Sequence, residues 1–133
     1  MSIRVYRAMT LWRCLRVLLP CFWLATSANA GKWECGERSN LPLEGRNYCA
    51  AGDFRLAEAT LQKVFAELLN QHKTRFGNID DLRAAQDAFD IYRDRQCLAE
   101  NRHTEDKPFY LMVVSQCKTR FTNMRIQELE QMQ

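Results

Sequence analysis

The residues of this 133-residue chain that could do chemistry are six cysteines, two histidines and sixteen carboxylates. Cys35, Cys49, Cys97 and Cys117 stand apart from Cys14 and Cys21, which sit in an apolar beginning whose charges are all arginine. A thiol can attack as a nucleophile, hold a metal or close a disulfide. The four later cysteines are separated by 14, 48 and 20 residues, with no CxxC or HxxxH pair, so the pattern lacks zinc-ligand spacing. Covalent catalysis needs a nucleophile beside an activating base, and no serine sits in a nucleophile elbow. His72 falls on the apolar face of a helical segment and is expected to pack in the core, while His103 lies in a polar stretch. These residues point to a non-enzymatic protein with no catalytic site, cofactor or metal.

The redox setting follows from the first thirty residues. Arg4, Arg7, Arg13 and Arg16 are their only charges, an apolar run spans 17–25, and Ala28-Asn29-Ala30 places small residues where a signal peptidase reads. The run is shorter than the roughly 20 residues needed to span a bilayer, and Pro20 interrupts it. Pro20 is also not the small residue expected before a lipidated Cys21. Residues 1–30 therefore read as a signal peptide cleaved between Ala30 and Gly31, leaving a domain of residues 31–133 that is periplasmic or secreted, with no stable membrane insertion. Four of the 19 basic residues leave with the signal, so 15 remain against 16 acidic ones, a net charge of −1 that offers no basic face for nucleic acid. In an oxidising compartment, four cysteines imply two disulfides.

Residues 31–52 show no sustained period and read as an irregular arm carrying Cys35 and Cys49. A first helix is expected from Asp53, its cap, with Phe54, Ala57, Leu61, Val64, Phe65, Leu68, His72 and Phe76 on one stripe and Gly77-Asn78 at its end. A second runs from about Asn78 or Asp80 to Glu100, with Leu82, Ala85, Phe89, Tyr92 and Gln96 facing inward. A third starts near Asp106-Lys107-Pro108 and turns Tyr110, Val113, Val114, Cys117, Phe121 and Met124 inward, fading near Leu129. Short connections force antiparallel neighbours, so the expected fold is all-α, a three-helix up-down-up bundle with an irregular N-terminal arm, stapled by disulfides. The hairpin of the second and third helices favours Cys97 with Cys117, leaving Cys35 with Cys49. Pairing of Cys49 with Cys97 stays open, because the start of the first helix also lies near the end of the second.

One carboxylate pattern concerns partners. At 100° per residue, Asp80, Asp87, Asp90 and Asp94 fall within about an 80° sector of the second helix, away from Leu82, Phe89 and Tyr92. Such a stripe could steer a basic partner. Its plainer reading is a solvated helix face, with Arg83 placed to pair with Asp80 and Asp87.

The pattern Leu82-x-x-x-Gln86-x-x-Phe89-x-x-Tyr92-Arg93-Asp94-x-x-Cys97, followed by Cys117-x-x-x-x-Thr122-x-x-Arg125-x-x-x-Leu129, resembles the LprI-type lysozyme-inhibitor-like domain family. Leu61-Gln62-x-x-Phe65 resembles that family's first-helix pattern, and the likeness covers roughly residues 35–130. The family usually has tryptophan at the place of Phe89, and asparagine and tyrosine at those of Gln62 and Phe65. The resemblance implies a helical, disulfide-bonded, exported bacterial domain, with lysozyme inhibition attached to the family's namesake, so that a lysozyme or another basic cell-wall hydrolase is the partner expected for the acidic stripe. A structural or accessory envelope protein without an enzyme target, or a periplasmic immunity protein, are the alternatives. Within the motif, Gln86, Phe89, Tyr92, Arg93, Asp94, Thr122 and Arg125 read as structural: a half-buried guanidinium requires a partner, and polar groups in a helical interface normally hydrogen-bond.

Overall fold

A computed structural model describes residues 33–133, so the signal segment read at 1–30, with Cys14 and Cys21, lies outside the described residues. Three α-helices account for most of the described chain: α1 (Leu43–Phe76), α2 (Asp80–Asn101) and α3 (Tyr110–Glu130), with short 3₁₀ turns at Arg38–Asn40 and Arg102–Thr104. At 1.5 Å per residue, α1 is about 50 Å long and each of the others little more than 30 Å. Both connections reverse the chain, giving the up-down-up order. The main backbone packing is α3 along α1, with α2 against α3.

The first helix begins ten residues before the expected cap. Pro42 precedes it, Gly45 and Gly52 lie inside it, and Asp53 is a helical residue that pairs with Arg38 instead of capping. Glycine inside a helix costs about 1 kcal/mol against alanine, yet burial of Cys49 and Ala50 fixes the helix through this segment. At Gly45 a Cβ would lie 3.0 Å from Trp33 Cδ2, so any larger residue would need the indole to give by a few tenths of an ångström. The irregular arm is thus only residues 33–42, and it is fastened by Cys35–Cys49 and by two hydrogen bonds from the Arg38 guanidinium to the Asp53 carboxylate.

Element ends follow local chemistry. Gly77 takes the left-handed conformation (φ 74°), and its N–H donates to Lys73 C=O at 3.1 Å, which closes α1. Asn78 Oδ1 accepts from the Asp80 backbone N–H at 2.8 Å, satisfying a free donor at the start of α2. The third helix starts at Tyr110, two residues beyond Pro108, and the Asn47 side chain donates to Pro108 C=O at 3.1 Å, tying this loop to α1.

The core changes character along the bundle. Near the α2–α3 loop it holds Cys97–Cys117, with Cα atoms 5.6 Å apart, and the buried Val114. The pairing of Cys49 with Cys97 that sequence left open is not formed. Toward the α1–α2 turn, Leu61, Val64, Leu68, Leu82, Ile126 and Leu129 form an aliphatic cluster, with Phe65, Leu69 and Phe89 packed against it. Between the two lies a layer of charged and polar side chains. Several residues expected inside are outside: Tyr92 is 54% exposed, Met124 51% and Phe76 62%.

These depths set the expected stabilities. Leu61→Ala empties a fully buried site and should cost about 2–5 kcal/mol in urea unfolding. Met124→Ala should stay within about 0.5 kcal/mol, and a loss matching that of Leu61→Ala would contradict the burial pattern. Replacing Cys97 and Cys117 together by alanine releases a 20-residue loop constraint, for which about 3 kcal/mol is expected with helical circular dichroism retained at low temperature.

Candidate functional site

The inward positions of α2 are Leu82, Gln86, Arg93 and Cys97, with Phe89 half-buried between them. They recur at steps of three and four, as one helix face requires. The expected face ran through Ala85, Tyr92 and Gln96 instead; Ala85 and Tyr92 are exposed, and Gln96 donates to Glu100 at the surface. The true face is turned by one residue because two polar side chains, Gln86 and Arg93, occupy core positions.

Arg93 is only 5% exposed and is held from all three helices. Its Nη1 donates to Glu58 Oε2 on α1 at 2.6 Å and to Thr122 Oγ1 on α3 at 3.3 Å. Its Nε donates to Asp94 Oδ1 at 3.0 Å, and Asp90 Oδ1 lies 3.4 Å from Nη1. The guanidinium carbon sits 5.1 Å from the Phe54 ring centre and 5.7 Å from that of Phe89. A planar cation with five donors is suited to this arrangement, and burying it requires such partners.

A second guanidinium extends the network. Arg125 Nε donates to Gln86 Oε1 at 3.2 Å and its Nη1 pairs with Glu128 at 3.0 Å, while Gln86 Nε2 donates to Asp90 Oδ1 at 3.2 Å. Phe89 lies between the two cations, with Arg125 at 5.5 Å. Lys118 Nζ meets Asp94 Oδ1 at 3.2 Å and the Phe54 ring at 5.5 Å. Of the motif residues, Gln86, Phe89, Arg93, Asp94, Thr122 and Arg125 thus come together, whereas Tyr92 lies outside, edge-on to Phe121 at 5.8 Å. Glu58, Lys118 and Phe54 complete the cluster. Glu58 was legible in principle, as a carboxylate beside the buried Ala57 and Leu61 of α1.

The aspartate stripe divides in two. Asp80 and Asp87 are exposed with no ion pair among the described residues, and Arg83 makes none with them. Asp90 and Asp94 are half-buried and bind Arg93. His72, expected in the core, is half-buried and stands edge-on to Phe76 at 5.2 Å. It lines an open groove of about 470 Å³ at the α1–α2 turn with Phe76, Leu82, Ala85, Arg125 and Met132. Among the described residues no three His, Cys, Asp or Glu side chains are grouped to hold a metal ion, and no helix is long and apolar enough to cross a membrane.

Proton affinities follow the contacts. Burial alone pushes Asp94 up, but hydrogen bonds and charge from Arg93 and Lys118 outweigh it and hold the carboxyl below its ordinary value near 3.8. Hydrogen bonding to Arg38 does the same for Asp53. Burial dominates at Asp90, which is raised despite Arg93. Stability contributed by Asp94 and Asp53 is therefore present above pH 3.8 and lost as the pH falls through their lower folded values. Asp90 acts oppositely, contributing below pH 3.8 and losing that contribution as the pH rises through its raised value. Urea midpoints measured against pH should fall on acidification below about 4, less steeply in Asp53→Asn. Arg93→Lys keeps the charge without the fork that meets three helices, and should cost about 1.5 kcal/mol or more. A neutral Arg93→Lys would show the guanidinium geometry to be dispensable.

Comparison with known proteins places this architecture. The sequence model of the family described as "Lysozyme inhibitor LprI" matches residues 38–129, from the 3₁₀ turn that carries Arg38 to Leu129 in the core. An uncharacterized protein of Rhizobium meliloti (strain 1021) is 30% identical over 129 residues, covering 89% of this chain and 91% of that protein. No solved structure matches. With the family's motif residues gathered around Arg93 and the match spanning all three helices, the chain belongs to the LprI lysozyme-inhibitor family.

Proposed function

We propose that this protein is exported by cleavage between Ala30 and Gly31 and acts outside the cytoplasm as a proteinaceous inhibitor of a lysozyme, by surface contact and without chemistry of its own. The family match over residues 38–129 is the observation that carries this reading. Its support from the fold is a disulfide-bridged domain whose motif residues, Tyr92 apart, are engaged with one another, which leaves recognition to the surface. The proposed contact is the carboxylate side of α2. Asp80 and Asp87 present free charge there, and Asp90 and Asp94 reach its edge while binding Arg93. A cationic enzyme is steered toward such a side, and the steering weakens as salt rises.

Purified exported protein should begin at Gly31 by mass spectrometry, and should slow lysis of cell walls by at least one member of a lysozyme panel in a turbidity assay. Asp80→Asn with Asp87→Asn should reduce the association rate about tenfold at low salt without altering helical content. Asp90 is a poor probe, because Gln86 and Arg93 depend on it. Full inhibition by the double variant would remove this side of α2 as the contact. Failure of the wild type on every enzyme of the panel would overturn the inhibitor reading.

A further inference from the structure

The side of α2 that points away from the core is not the polar face expected of a surface helix. Ile91 is 66% exposed and Leu98 42%, and Ala84 and Ala88 beside them are exposed as well. Taking 100° per residue, Asp80, Ala84, Asp87, Arg95 and Leu98 all lie within about 40° of the direction of Ile91, and Arg102 is the first residue past the end of α2. Leu82, Phe89 and Arg93 lie on the opposite side.

The order along this strip is symmetric about Ile91. Four residues before it stands Asp87 and four after it Arg95; seven before, Ala84 and seven after, Leu98; eleven before, Asp80 and eleven after, Arg102. Each acidic residue has a basic counterpart at the same distance, and the small alanine has a large leucine. Asp80, Asp87, Arg95 and Arg102 are exposed and form no ion pair among the described residues. A two-fold axis through Ile91, perpendicular to α2, brings residue 91+n of one copy level with residue 91−n of the other. A two-fold interface demands this kind of self-complementarity.

We propose that the outer face of α2 is a homodimer interface, in which two copies of this chain pack α2 against α2 antiparallel about Ile91. Leu98 of each copy covers Ala84 of the other, and Arg95 and Arg102 pair with the other copy's Asp87 and Asp80. The alanines allow the two backbones to approach, and the ion pairs fix direction and register, since a parallel pair would set like charge against like. One helix pair buries an area at the lower end of stable interfaces, so the dimer is a reversible one. It covers Asp80 and Asp87, so self-association competes with any target that uses those carboxylates. Oligomeric state is read without a target, which keeps this inference testable separately from the inhibitor reading.

Sedimentation velocity on the protein in the form its cell produces, from about 1 μM to 1 mM, should show a monomer–dimer equilibrium. Ile91→Glu sets two carboxylates face to face at the axis and should raise the dissociation constant at least tenfold, with circular dichroism unchanged. Asp87→Arg and Arg95→Asp should each weaken self-association similarly, because each opposes like charges. An equimolar mixture of those two variants should dimerise again, as arginines of one chain then face aspartates of the other. A wild type that stays monomeric across the range would overturn the proposal. So would a dimer indifferent to Ile91→Glu, or charge variants that fail to pair when mixed.

Discussion

A guanidinium placed where a hydrophobic side chain would be expected is the constraint from which the rest of the bundle follows. With Arg93 almost fully buried, the three helices must deliver a carboxylate from α1, a hydroxyl from α3 and a neighbouring carboxylate from α2 to one point. An unpaired charge in that position would cost several kcal/mol, which penalises any packing that separates the partners. The interaction therefore specifies register more than it adds stability. The aliphatic cluster on one side of it and the Cys97–Cys117 bridge on the other supply the apolar burial and chain constraint that hold the helices together.

The same constraint explains what the sequence showed and what it concealed. Helix existence, the Gly77 stop and the all-α class were legible because long stripes of three- and four-residue spacing have few alternatives. The cysteine pairing was legible as a preference, since antiparallel helices set Cys97 beside Cys117. The phase of α2 was not. Apolar periodicity assigns Tyr92 and Ala85 to the core and treats Gln86 and Arg93 as neighbours of it, whereas the polar pair are the buried ones. A hydrophobic pattern contains no term for a charge that carries its own partners inward.

The start of α1 was hidden for a different reason. Gly45 and Gly52 look like breaks, but Gly45 is used for the close approach of Trp33, and Cys49 and Ala50 are buried. Similarly, the four aspartates of the α2 stripe share a face by angle alone, yet Arg93 draws Asp90 and Asp94 inward and leaves Asp80 and Asp87 to solvent. This separates a scaffold set of carboxylates from a surface set on one helix. With most of the motif residues internal in this chain, the carboxylates left at the surface of α2 are ones that the motif does not name.

The central claim is that Arg93 joins helices rather than merely tolerating burial, and a double-mutant cycle between Arg93 and Glu58 tests it most directly. Arg93→Ala, Glu58→Ala and the double variant would be compared by urea unfolding, at a pH where both groups are charged. Direct pairing between α1 and α2 should give a coupling of about 1 kcal/mol or more between the two sites. Strictly additive losses would contradict it, and would mean that α1 and α2 are positioned by apolar packing alone.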